Sequence, residues 1–193
     1  MVEDAQNILK NIRQTKEIFR AISRLIQDID EKMCKKGWTA ALKKRGKTCI
    51  SEVSKSIESP DNWLPTEIFR FYKNNSYKNL LVYVSVLIDN DKDGWYTIEQ
   101  PLITAGFFDY GKNKRVNDNW YYYYACIYGY IMNEKTNDKP ISMHEEIECE
   151  KDGKLPYLFR SGKCFGLPLV SIKDESDIEK KIVKPLLQLT QGK

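Results

Sequence analysis

Ala5, Ile8, Ile12, Thr15, Phe19, Ile22, Ile26, Ile29 and Met33 recur in alternating steps of three and four, the a and d positions of a heptad seam. The spacing predicts one long amphipathic helix over residues 3–35. At 1.5 Å per residue it spans roughly 50 Å, more than one side of a small domain covers. Leu9, Ile18 and Leu25 widen the stripe beyond a strict two-stranded seam, which favours packing on the face of its own domain. Pairing with a second helix, including one from another copy of the chain, is the alternative. Gly37 is placed to end the helix.

A second, less regular helical segment is expected over 39–58, interrupted near Gly46, with Ile50, Val53 and Ile57 as its apolar side. The turn Ser59-Pro60-Asp61-Asn62, followed by Pro65, divides this helical part, residues 1–58, from a strand-rich part, 59–193. The two parts are expected to pack together as one domain. Residues 67–72 suit a strand or a short helix. From Leu80 the pattern is plainer: Leu80, Val82, Val84, Val86 and Ile88 alternate with Leu81, Tyr83, Ser85 and Leu87, a strand with one fully apolar face. The turn Asp89–Gly94 then leads to a second strand, Trp95–Gln100, followed by a looser apolar stretch from Leu102 to Phe108. Tyrosine favours strands over helices, so Trp120–Met132 reads as a long strand with Trp120, Tyr122, Tyr124, Cys126, Tyr128 and Tyr130 on one face. A further strand is expected over Ile141–Cys149, and a hairpin turn at Ser161-Gly162 between Tyr157–Arg160 and Lys163–Ile172. Ser176-x-x-Glu179 reads as a capping box opening a last helix, with Pro185 kinking it. Helices, then a run of strands, then a helix indicate an α+β fold with a mostly antiparallel sheet.

Composition narrows the class. The chain has 193 residues, 30% of them charged and 41% hydrophobic, a balance that supports a folded core. Its five cysteines are widely spaced and contain no C-x-x-C, which argues against a zinc ribbon or disulfide framework and for a reducing compartment. The acidic, polar opening MVEDAQ does not fit a signal peptide. The longest apolar run, Trp120–Met132, is thirteen residues, against about twenty for a membrane span. The expectation is a cytoplasmic protein without a membrane partner. A net charge of +4 is too small to declare a nucleic-acid binder, although residues 1–60 hold thirteen Lys/Arg against eight Asp/Glu.

The closest approach to a chemical motif is Asp89-Asn90-Asp91-Lys92-Asp93-Gly94. Asp89, Asp91 and Asp93 have the spacing that gathers hard oxygen ligands around calcium or magnesium. An EF-hand loop also needs a bidentate Glu at its twelfth position. Gln100 stands there, and the flanks read as strands. The same residues make a good hairpin turn, because Asp, Asn and Gly tolerate left-handed backbone and bond it locally. Lys43, Lys44, Arg45 and Lys47 could grip phosphates, with Tyr122 and Tyr124 as a stacking platform for bases. Their plainer roles are a solvated basic segment and an amphipathic aromatic layer. His144, the only histidine, alternates with Glu146, Glu148 and Glu150; this suits a charged edge strand better than a metal site, since one histidine cannot form a multi-histidine zinc centre. Asp152-Gly153-Lys154 has a nuclease-like spacing but sits in a turn. No phosphate-cradling glycine loop, dinucleotide fingerprint or nucleophile elbow occurs.

These patterns favour a non-enzymatic binding or protein-interaction module, self-associating through helix 3–35 and needing no cofactor. The alternatives are a nucleic-acid binder using segment 35–47 and the tyrosine strand, and a metal-dependent hydrolase or nuclease built on the three aspartates.

Overall fold

The computed structural model describes residues 2–41, 49–50, 58, 64–89, 98–109, 141–144 and 161–191. Helix α1 runs over Val2–Lys35, as the heptad spacing predicts. Its end is a Schellman motif. Gly37 takes φ 79°, a conformation that costs glycine little. Trp38 N–H donates to Met33 O at 3.0 Å and Gly37 N–H to Cys34 O at 2.9 Å, and Trp38 and Met33 are both buried.

Seven strands among the described residues form one antiparallel sheet: β1 (Thr39–Ala40), β2 (Cys49–Ile50), β3 (Glu67–Lys73), β4 (Leu80–Leu87), β5 (Leu102–Asp109), β6 (Ile141–His144) and β7 (Ser161–Pro168). The order is β1-β3-β4-β5-β7-β6, with β2 also pairing β3. The chain closes with a 3₁₀ turn (Leu169–Ser171), α2 (Glu175–Asp177), a π-helical stretch (Ile178–Val183) and α3 (Lys184–Thr190). The fold is α+β with an antiparallel sheet.

Several local expectations give way to pairing. No helix forms at either described end of the 39–50 stretch. Thr39–Ala40 and Cys49–Ile50 are instead short strands antiparallel to β3, and Ala41 N–H donates to Phe71 O at 2.9 Å. The open edge of β3 presents unpaired backbone groups, which these residues satisfy. The partner of β4 is β5, with Val84 opposite Ala105, and not Trp95–Gln100. Ile98, Glu99 and Gln100 lie outside any strand, and 90–97 lie outside the described residues. Ser161-Gly162 is no turn. It opens β7, and Gly162 is buried between Phe108 on β5 and Met143 on β6.

The last helix begins earlier than the Ser176 box predicts. Asp174 caps it, accepting from Asp177 N–H at 2.9 Å, while the Asp177 carboxylate accepts from Lys173 N–H at 2.9 Å. Pro185 falls in the first turn of α3, directly after the π-helical stretch. The run is helical from Glu175 to Thr190, so the missing N–H of Pro185 leaves a gap in the ladder, and the turn before it is widened, with Lys184 N–H donating to Glu179 O.

The main core lies between one face of the sheet and the helices. Ile22, Ile26, Ile29 and Met33 of α1 meet Ile68, Tyr72, Val82, Val84, Ile103, Phe107 and Phe165 of the sheet, with Ile178, Ile182 and Leu186 closing the cluster. The opposite face is buried as well, so β4 is covered along its whole length. An aromatic row crosses that face: Phe69 and Phe71 meet edge-to-face at 5.5 Å, and Tyr83 stacks on Phe108 at 5.1 Å.

Candidate functional site

The heptad stripe of α1 has two fates. From Ile22 to Met33 it is sealed against the sheet and the C-terminal helices. Upstream it is open: Ile8 is 59% exposed, Leu9 53%, Ile12 47% and Ile18 52%. Phe19 marks the transition, half-buried at the edge of the core. Leu64, itself exposed, joins Ile12, Thr15, Phe19 and Ser23 along an open groove, so the apolar surface continues from the helix onto the chain just before β3. Lys10, Arg13, Lys16, Arg20 and Arg24 are exposed on the same stretch, and Arg20 pairs with Glu17. Large aliphatic side chains scattered singly on a surface are ordinary. Ile8 and Ile12, one turn apart on one side of α1, continue onto Leu64 as a contiguous patch, and such patches mark interaction sites, whereas Leu9 and Ile18 line the opposite side with Arg13 and Glu17.

The orientation of this stripe is fixed by a clamp on the covered half. Arg70 on β3, almost fully buried, donates through Nε to Asp30 Oδ1 at 2.7 Å and through its second nitrogen to Oδ2. Tyr72 O–H donates to the same Oδ1 at 2.9 Å. Burial first, then the adjacent Asp30 carboxylate, pushes the Tyr72 phenol well above the usual tyrosine range. That phenol therefore stays protonated and serves as a donor, not as a base. The triad ties α1 to the sheet and sets the rotation of the whole helix.

Two further groups invite a chemical reading. Cys164 on β7 is buried, and burial pushes its thiol up to about 12, which suppresses the reactive thiolate. On the same face Glu67, Ser85 and Thr104 are buried polar residues on β3, β4 and β5. Ser85 and Thr104 are cross-strand partners, and their hydroxyls have no hydrogen-bond partner among the described residues. The sequence signals this patch only as Ser85 interrupting the apolar run of β4.

The site residues taken from the sequence are not brought together among the described residues. Asp89 is exposed just after β4, and its N–H donates to Thr66 O at 3.3 Å. Asp91 and Asp93 lie outside the described residues, as do Lys43, Lys44, Arg45, Lys47, Tyr122 and Tyr124. His144 sits on the short strand β6 opposite Ser161. No group of three or more His, Cys, Asp or Glu side chains placed to hold a metal occurs among the described residues. No helix among them is long and apolar enough to cross a membrane. Compared with known proteins, the chain matches no family model, no curated protein and no solved structure.

Proposed function

We propose that this chain is a non-enzymatic interaction module whose docking element is the first half of α1. The observation that carries the reading is the abrupt change along a single stripe, buried from Ile22 onward and open at Ile8 and Ile12. A helix half whose apolar side chains stay this exposed gains little from them, since isolated helices of this length are marginal in water. A partner that covers the stripe supplies the missing burial, the helix-in-groove mode of recognition. A photoreactive side chain at position 12 tests this in cells. It should yield covalent adducts that the same group at position 14 does not. Equal labelling at the two positions removes the docking reading.

A second reading, nucleic-acid binding, draws support from the exposed Lys10, Arg13, Lys16, Arg20 and Arg24 on the same helix. It requires oligonucleotide affinity that falls steeply with salt. Binding indifferent to salt, or none, excludes it.

A further inference from the structure

We infer that the solvent side of α1 lies along the phosphate backbone of a nucleic-acid duplex. The inference rests on the nucleic-acid reading above and adds the form of nucleic acid and the face that meets it.

Arg13, Lys16, Arg20 and Arg24 follow one another in steps of three, four and four, which stacks them on one side of α1. All four are exposed. Arg24 stands two residues from both Ile22 and Ile26, about 200° round the helix, so this basic ridge faces away from the side that carries the sheet. At 1.5 Å per residue the four charges make a file about 16 Å long, with about 4.5–6 Å between neighbours. One carboxylate, Glu17, falls between residues 13 and 24. It pairs with Arg20, whose side chain is still 62% exposed and open to a second anion. A single small anion asks for donors converging on one point. A file of cations suits a chain of negative charges.

The surroundings of the ridge select the duplex. Single strands are held largely by stacking their bases on aromatic rings. The one aromatic residue of α1 is Phe19, half-buried at the edge of the core, so the ridge has no ring on its own helix to offer a base. A duplex backbone asks only for cations, and it holds its phosphates in set positions that a straight helix can follow. A bilayer asks for a broad apolar face beneath the cations. On the line of the ridge it would meet Leu9 alone. The Ile8–Ile12 side leads at Ile22 into the folded body, which stands in the way of a flat surface. Contacts to phosphates carry no base reading, so the binding is indifferent to sequence.

The test is fluorescence anisotropy of the full chain with a labelled duplex of about 30 base pairs, across about 50–200 mM salt. Three to four neutralised phosphates give log K a slope of about −2.7 to −3.6 against log salt, so binding should weaken about 40- to 150-fold over that range. Arg13→Gln/Arg24→Gln should make the slope shallower by about 1.8. Lys180→Gln/Lys184→Gln removes the same charge from exposed positions of the C-terminal helices and should leave the slope unchanged. A duplex of unrelated sequence should bind equally well, and the single strand more weakly. An unchanged slope in Arg13→Gln/Arg24→Gln, or an equal change in the Lys180/Lys184 pair, overturns the ridge and leaves the nucleic-acid reading standing. A single strand bound as tightly as the duplex overturns the duplex alone. Binding to phosphatidylserine vesicles with none to either oligonucleotide gives the ridge to a lipid surface, and no binding to any of the three overturns the inference; both outcomes remove the nucleic-acid reading too.

Discussion

Replacing Asp30 by alanine removes a carboxylate that meets Arg70 across the helix–sheet interface. Arg70 is only 3% exposed, and it donates to both oxygens of Asp30, with Tyr72 O–H as a third donor. Removing one member of a buried ion pair costs about 3–5 kcal/mol, because the remaining charge stays desolvated. The Asp30 side chain is 29% exposed, so water can replace part of what is lost. That brings the expected loss down to about 2–4 kcal/mol. For a chain of this length each kcal/mol moves Tm by about 2–4 °C, so Asp30→Ala should melt about 4–16 °C lower. Arg70→Met keeps the packing volume and should lose less. The double variant should lose clearly less than the two single losses combined, with a coupling of about 1–3 kcal/mol. Tyr72→Phe should lose about 1–2 kcal/mol in the parent and close to nothing once Asp30 is alanine. Urea unfolding followed by circular dichroism measures all five variants. Strictly additive losses, or an Asp30→Ala loss below about 0.5 kcal/mol, mean that the three groups do not act as a clamp.

Two other outcomes follow from the sheet. A Cβ at Gly106 would lie 2.4 Å from Lys163 O and 2.9 Å from Cys164 Cα, backbone atoms that β5–β7 pairing holds in place. Gly106→Ala should therefore lose about 3 kcal/mol or more in urea unfolding, and a neutral result would show that β7 can move aside. Cys164 has its thiol raised from 9.0 to about 12 in the folded chain, and Tyr72 is also raised from 10.0. Raised acids stabilise the fold fully below their unfolded values and lose that contribution as pH climbs. The urea midpoint should thus be flat up to about pH 9 and fall beyond it, by up to about 1.4 kcal/mol per pH unit for each group. Cys164→Ala should remove the part of the slope between pH 9 and 10; an unchanged slope there assigns the alkaline loss to other groups.

Elements whose signal lies within one segment were legible in the sequence. The steps of three and four specify α1, and Gly37 ends it because the Schellman turn needs left-handed backbone there. The β-branched run Leu80–Leu87 specifies β4, and the Ile178–Leu189 stripe the last helices. Elements whose signal lies in a partner were not. Ser161-Gly162 has turn chemistry, yet two neighbouring strands hold it extended. Thr39–Ala40 and Cys49–Ile50 stand in a stretch whose sequence reads as helix, yet the edge of β3 draws them into pairs. Leu102–Asp109 is looser in pattern than Trp95–Gln100, yet it alone fills the whole length of β4. Asp30 stands some forty residues from Arg70 and Tyr72 in the chain and shares no motif with them.

The candidate site divides in the same way. The sequence by itself determined that α1 carries an apolar stripe along its whole length, because periodicity is a property of the helix alone. Only the tertiary structure decided where that stripe is covered. The sheet and the C-terminal helices bury the stripe from Ile22 onward and touch it as far as Phe19, since burial depends on what the rest of the chain brings alongside. Ile8 and Ile26 occupy equivalent apolar positions in the pattern, and the fold alone makes one a docking surface and the other part of the core.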